Sequence, residues 1–299
     1  MYESPIGAHN SADALETDPR RILQSALGAL HNQPSALVTD VDGTISPIVA
    51  VPSQARVLPA ARDALRRLRR RLQLVAVVSG RSATEARAMV GVQGLAYVGN
   101  HGLDAIIGGT STMFPDAVPW VPRVRAAVEH AQRSVLIPGI QFEIKGPSAT
   151  LHYRRTDDPR QARQALLQAL ATCQEAAGLR IEEGRRVINL LPPLRVTKGS
   201  AVSWLAEQLS LRGVVYLGDD RTDAHAFESL REMRQQGLAT CGIAVVSHET
   251  PRSVFGCADG RVGSVQEAAD LLTAMADALA AREPTEDRPS RGSITTRRA

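Results

Sequence analysis

Leu37-Val38-Thr39-Asp40-Val41-Asp42-Gly43-Thr44 is an apolar run that ends in two carboxylates two residues apart, followed by a glycine. A short, β-branched, apolar stretch bounded by Asp and Gly reads as a buried strand opening into a loop. Open α/β sheets bind their ligands at the carboxyl ends of such strands. Two acids held there are costly unless a cation or a proton pairs them. The arrangement predicts a Mg2+ site beside an aspartate nucleophile.

Strands and helices alternate on either side of this run. A helix is predicted over Pro19–Leu30, then strand 36–41, helix 59–71, strand 72–79, helix 83–90 and strand 95–99. Ser82 and Glu85 stand at capping-box spacing at the start of helix 83–90. The alternation stops near Gly108-Gly109. From 110 to 192 the order changes to helix 120–135, strands 140–145 and 149–154, helix 158–176, and strands 179–183 and 186–191. That is the pattern of an α+β unit with an antiparallel sheet. Alternation then returns: helix 199–210, strand 213–218, helix 222–235, strand 241–246, and helix 265–281 opened by Ser264 and Glu267. The fold class is therefore α/β, a parallel-sheet core in two parts (18–109 and 193–281) interrupted by an α+β cap (110–192). Residues 1–17 read as a mobile lead-in. The tail 282–299, rich in Pro, Ser, Thr and Arg, reads as disordered. There is no internal repeat.

The 299 residues suffice for one large or two modest cores. No apolar run reaches the length of a membrane span. The start Met1-Tyr2-Glu3-Ser4-Pro5 has neither the basic nor the apolar part of a secretory signal. Cys173, Cys241 and Cys257 form no C-x-x-C pair, which fits a reducing compartment and argues against structural zinc. A cytoplasmic location and no membrane partner are the expectation. The 35 basic residues are 33 arginines and only two lysines, Lys145 and Lys198. Against that background each lysine is a candidate for a task that needs a compact point charge. The densest basic run, Arg66-Arg67-Leu68-Arg69-Arg70-Arg71, lies on a predicted helix with Leu65, Leu68 and Leu72 at core spacing. Without interleaved aromatics it reads as a solvated helix face, so no nucleic-acid partner is expected.

Four strand or helix ends carry polar residues: Asp40/Asp42, Val77-Val78-Ser79-Gly80-Arg81, Thr197-Lys198-Gly199, and Leu217-Gly218-Asp219-Asp220-Arg221-Thr222-Asp223. Taken singly, each has an ordinary reading as a turn or an N-cap. All four in this order are hard to explain as four turns.

With these motifs the sequence resembles the haloacid dehalogenase superfamily of aspartate-dependent phosphatases, and the resemblance covers the four motifs and the insertion between the second and third. It implies a Rossmannoid core with a C2B-type cap. It further implies that Asp40 attacks phosphorus, that Asp42 serves as general acid and base, and that Ser79 and Lys198 bind phosphoryl oxygens. Mg2+ would be held by Asp40, the Asp42 carbonyl oxygen and Asp219, with Asp220 and Asp223 as further ligands or their support.

Within the superfamily the chain most resembles the trehalose-6-phosphate phosphatases. Val98-Gly99-Asn100-His101-Gly102, Glu143-Ile144-Lys145 with Leu151-His152-Tyr153-Arg154, and Gly218-Asp219-Asp220-Arg221-Thr222-Asp223 carry this likeness. The resemblance makes Gly80, Arg81, Asn100, His101, Gly102, Glu143, Lys145 and Asn189 the expected substrate-binding residues. It implies a phosphoric monoester hydrolase that takes a small phosphosugar and acts as a monomer. Glu143 and Lys145, two apart on a strand, share a face. The chain departs from the family where a Val-x-Glu-x-Arg-Pro segment is common: it has Val187-Ile188-Asn189-Leu190-Leu191-Pro192. Asn189 offers hydrogen bonds but no charge. Another phosphosugar (sucrose 6-phosphate, mannosylglycerate phosphate), a phosphosugar mutase and a non-catalytic sensor stay open as alternatives.

Overall fold

Strand β1 (Ser35–Thr39) is buried at every residue and lies at the centre of an eight-stranded sheet. The computed structural model describes residues 15–49, 51, 54–184, 186–246 and 256–281. Residues 1–14 of the expected lead-in and the expected tail 282–299 lie outside these. Alternate residues of β1 feed two cores. Leu37 packs with α1 (Pro19–Leu30), α2 (Pro59–Leu68), α3 (Ala83–Val90) and α8 (Val265–Ala280). Ala36 and Val38 pack with α6 (Lys198–Gln208) and α7 (Arg221–Gln235). Burial on both faces is why β1 reads as a continuous apolar run.

The chain proceeds from β1 to β2 (Leu74–Val78) and β3 (Ala96–Gly99) on one side. It returns to the other side with β10 (Gly213–Gly218), β11 (Ala239–Val245) and β12 (Gly260–Val262). All of these neighbours pair in parallel. The direction of winding therefore reverses between β1 and β10, the point where ligands bind in such sheets.

Two edges differ from expectation. Gly108-Gly109, taken as the end of the core, is the turn of an antiparallel hairpin between β4 (Asp104–Ile107) and β5 (Thr110–Met113), which extends the large sheet beyond β3. Both glycines have positive φ, 61° and 85°, as a two-residue hairpin turn of the primed type requires. The inserted unit accordingly follows Met113 and does not begin at 110. At the opposite edge, Glu16 was expected in the lead-in but joins the sheet: it accepts from Arg261 N at 2.9 Å and bridges to Gly260.

The inserted unit has its own antiparallel sheet, in the order β6 (Gln141–Ile144), β7 (Ala149–His152), β9 (Val187–Leu191), β8 (Arg180–Gly184). Val124, Ala127, Val128 and Ala131 of α4 (Val121–Ser134) and Leu166 of α5 (Pro159–Ala171) pack with Leu151, Ile188 and Leu190 of this sheet. The other face carries the polar Gln141, Glu143, Thr150, His152 and Asn189, with Val187 beside them. Among the described residues, no helix is long and apolar enough to cross a membrane.

Candidate active site

Parallel pairing sets Thr39 beside Leu217, and Asp40 N donates to Leu217 O at 2.9 Å. Register alone therefore brings Asp40 next to the Gly218-Asp219-Asp220 end of β10. The α6 and α7 helices begin at the same place. Thr197 caps the first through Ser200 N. Asp220 caps the second, accepting from Thr222 N and Asp223 N. The amino ends of two helices favour negative charge here.

Lys198, the first residue of α6, is 2% exposed. Its Nζ lies 2.8 Å from Asp223 Oδ1, 3.1 Å from Asp40 Oδ2 and 3.7 Å from Asp220 Oδ1. Burial works to lower its pKa, but Asp223, Asp40 and Asp220 outweigh that and hold the ammonium above its ordinary range. One ammonium does not balance the acids. Burial pushes Asp40 well up despite the pull of Lys198, and the charges of Asp223 and Asp219 push it further. Burial, then Asp223, carries the Asp219 carboxyl up to about 7. Asp220 goes down to about 2: its own burial is overcome by Lys198 and by the donors Thr222 and Asp223.

Asp223, fully buried, is saturated. One oxygen accepts from Lys198 and from the Tyr216 hydroxyl; the other accepts from the amides of Asp219 and Asp220 at 2.9 Å each. Asp219 accepts from Thr44 Oγ1 at 2.8 Å and lies against Gly43. Gly43 has φ 84°, and a Cβ there would come within 2.1 Å of Asp219 Oδ2, so only glycine fits. The ligand atoms of Asp40, Asp219 and Asp223 lie within 4.8 Å of one another. Surplus negative charge and an all-oxygen donor set suit a hard cation such as Mg2+.

Asp40, Lys198, Asp219 and Asp220 form the floor of a cavity of about 800 Å³ between the carboxyl end of the large sheet and the polar face of the small one, and the fully buried Asp223 is not part of its lining. Of the residues expected at the site, Asp40, Asp42, Ser79, Gly80, Arg81, His101, Glu143, Lys145, Asn189, Lys198, Asp219 and Asp220 all line it. Arg81 grips Asp42 with both arms, Nε to Oδ2 at 2.6 Å and Nη2 to Oδ1 at 2.8 Å. Burial, then the charge of Lys198, lowers His101 to about 4, so its imidazole is neutral at pH 7. Its buried Nδ1 has no hydrogen-bond partner among the described residues. On the opposite wall Glu143 Oε2 meets His152 Nε2 at 3.1 Å and Lys145 Nζ at 3.3 Å. The His152 hydrogen bond first, and Lys145 with it, bring Glu143 down to about 2 against the effect of burial.

Asn100 and Gly102, also expected at the substrate, do not line this cavity. Asn100 is 3% exposed, and its side chain bonds to Asp104, the Lys145 carbonyl and Ser148. Gly102 borders a separate, mainly apolar cavity of about 190 Å³ beside Trp204 and Phe114. Gln141, Thr150 and Arg155 line the main cavity and were missed. For Gln141 and Thr150 the signal was available: Gln141 stands two residues before Glu143, and Thr150 lies directly across from it. The charges absent at 189 and 191 stand one strand over. Glu182 pairs with Asn189 and Arg180 with Leu191, and the two are joined by an ion pair of 2.7 Å.

The sequence profile of the trehalose-phosphatase family matches residues 38–256. A trehalose-phosphate phosphatase of Mycobacterium avium (strain 104) is 33% identical over 269 residues, covering 88% of this chain and 67% of that protein. An uncharacterized glycosyl hydrolase of Mycobacterium tuberculosis (strain H37Rv) is 32% identical over 237 residues, 76% of this chain but only 18% of that much longer protein. In fold, the C-terminal domain of C. albicans trehalose-6-phosphate phosphatase superposes with a TM-score of 0.65 at 20% identity, over 89% of this chain and 99% of that domain. The core is thus of the haloacid-dehalogenase type, and the chain belongs to the trehalose-phosphatase family.

Proposed function

We propose that this chain is a Mg2+-dependent phosphatase that hydrolyses trehalose 6-phosphate to trehalose and phosphate. The observation that carries this reading is Asp40, a buried carboxylate 3.1 Å from the Lys198 ammonium, on the floor of a cavity whose roof is a polar sheet face. A cavity of that volume has room for a disaccharide phosphate. The opening step is attack by an Asp40 oxygen on phosphorus. The bond from phosphorus to the sugar oxygen breaks, and the leaving oxygen takes a proton from Asp42. Water then attacks the aspartyl-phosphate, Asp42 takes its proton, and the bond from phosphorus to Asp40 breaks. Arg81 has to release Asp42 for either transfer. Ser79 and Lys198 hold the phosphoryl oxygens, and a Lys198 fixed by Asp223 needs no reorganisation as charge develops. Asp40 and Asp219 would hold Mg2+, which supplies charge neutralisation at the phosphoryl group. Asp223, already saturated, serves to fix Lys198 and the Asp219-Asp220 backbone.

The test is phosphate release from trehalose 6-phosphate beside sucrose 6-phosphate, glucose 6-phosphate and mannosylglycerate phosphate, with Mg2+ and with EDTA. Selective, Mg2+-dependent release from trehalose 6-phosphate is expected. Release from a different sugar would move the specificity to the Asn189 and Leu191 changes. Hexose isomerisation without free phosphate would make the chain a mutase, and tight binding without turnover would make it a sensor.

The small sheet's role as a sugar-reading cap has its own test. Glu143→Ala and Lys145→Ala are expected to lower kcat/KM for the sugar phosphate by about 10- to 100-fold, since each removes a charged group that lines the cavity and leaves its half-buried ion-pair partner unmatched. Turnover of p-nitrophenyl phosphate should stay close to that of the parent protein. Equal losses on both substrates would remove the sugar-reading role.

A further inference from the structure

Asn100 follows β3 with φ 50°, and His101 follows it with φ 59°, two left-handed residues in succession that are not glycine. Such conformations are costly and persist only where surrounding contacts hold them. Here the contacts come from both halves of the molecule. Asn100 N donates to Arg81 O at 2.7 Å, and His101 N donates to Ser79 O at 3.0 Å. The Asn100 side chain turns the other way. Its Nδ2 donates to Asp104 Oδ1 at 2.9 Å and to Lys145 O at 3.1 Å, and its Oδ1 accepts from Ser148 Oγ at 3.1 Å. Both amide hydrogens meet acceptors and the carbonyl meets a hydroxyl, so the orientation of the amide is fixed. Asp104 in turn accepts from Ala83 N at the start of α3.

We infer that Asn100 is a positioning residue that pins the Lys145–Ser148 turn of the inserted sheet to the loop carrying His101 and to the Ser79–Arg81 loop. The turn it holds follows directly on Glu143 and Lys145, whose side chains face the cavity. The loop it holds ends at Arg81, which grips Asp42. One buried amide thus ties the height of the sugar-facing wall to the floor where the phosphoryl group sits. Leucine would fill a similar volume there but leave Ser148 Oγ and Lys145 O without their partner in a buried place. The inference rests on the phosphosugar phosphatase reading.

The experiment compares the parent protein, Asn100→Leu, Ser148→Ala and the double variant on trehalose 6-phosphate and on p-nitrophenyl phosphate. The parent's turnover of the sugar phosphate tests the underlying reading by itself. If that turnover is present, Asn100→Leu should raise KM for the sugar phosphate about tenfold or more and change p-nitrophenyl phosphate turnover by less than about threefold. Ser148→Ala should move KM in the same direction by less. The double variant should match Asn100→Leu alone, because the two groups form one connection. Equal losses on both substrates, additive effects of the two substitutions, or an unchanged KM in the single variants would each overturn the inference. If Asn100→Leu does not fold, Ser148→Ala decides: an unchanged KM for the sugar phosphate overturns it.

Discussion

Asp40→Asn is expected to abolish phosphate release, with a loss of at least about 10^4-fold in kcat. An amide nitrogen or oxygen does not replace the attacking carboxylate. The variant should fold. Asp40 sits among Asp219, Asp220 and Asp223, and burial opposes its charge. Replacing it with a neutral isostere relieves that repulsion, while Lys198 keeps Asp223 at 2.8 Å. The midpoint of thermal unfolding, measured without Mg2+, should therefore stay level or rise. Brief reaction with labelled substrate followed by acid quench provides the second readout: label should remain on the parent protein and be absent from the variant. Phosphoenzyme in Asp40→Asn would reassign the nucleophile.

Lys198→Met carries the other large effect, on stability as well as rate. Removing one member of a buried ion pair costs about 3–5 kcal/mol because its partner is left charged and unpaired. Asp223, fully buried, faces that situation most directly. Urea unfolding should show the loss, and activity should vanish with it. Adding Asp223→Asn to Lys198→Met should recover part of the stability, since it removes the stranded charge. Recovery would show up as a double variant less destabilised than the sum of the singles. A Lys198→Met protein as stable as its parent would mean that the acids had taken up protons or another cation.

The gathering of these residues on the cavity floor was legible in the sequence because each of them ends an apolar strand or begins a helix. Asp40, Ser79 and Asp219 follow buried runs, and Lys198 follows a capping threonine. Parallel register then needs no further information to bring them together. The hairpin β4–β5 was less legible. Thr110–Met113 is polar and half-exposed on the sheet edge, so no alternation marks it, and the paired glycines read as an end when they were a turn. Gly260–Val262 is too short to show a period. Asn100 was expected at the substrate because the resemblance takes in Val98-Gly99-Asn100-His101-Gly102 as a whole. Its left-handed backbone sends the side chain towards the inserted unit, and nothing in the sequence marks that conformation at this asparagine. The Arg180–Glu182 pair was illegible for a different reason: its closeness to Asn189 and Leu191 is a matter of cross-strand register within the inserted sheet.

The reversal of winding between β1 and β10 also dictates an order of assembly during synthesis. The strand at the centre of the finished sheet is made well before its neighbour β10, which is encoded more than 170 residues later. While the ribosome is still translating the inserted unit, β1 is an edge strand, and its apolar backbone ladder is open on the side β10 will occupy. Such an edge is a template for pairing with other chains. The nascent protein is therefore most prone to aggregate just before Gly213–Gly218 emerges, and the same docking event that closes the sheet also creates the charge cluster at its end.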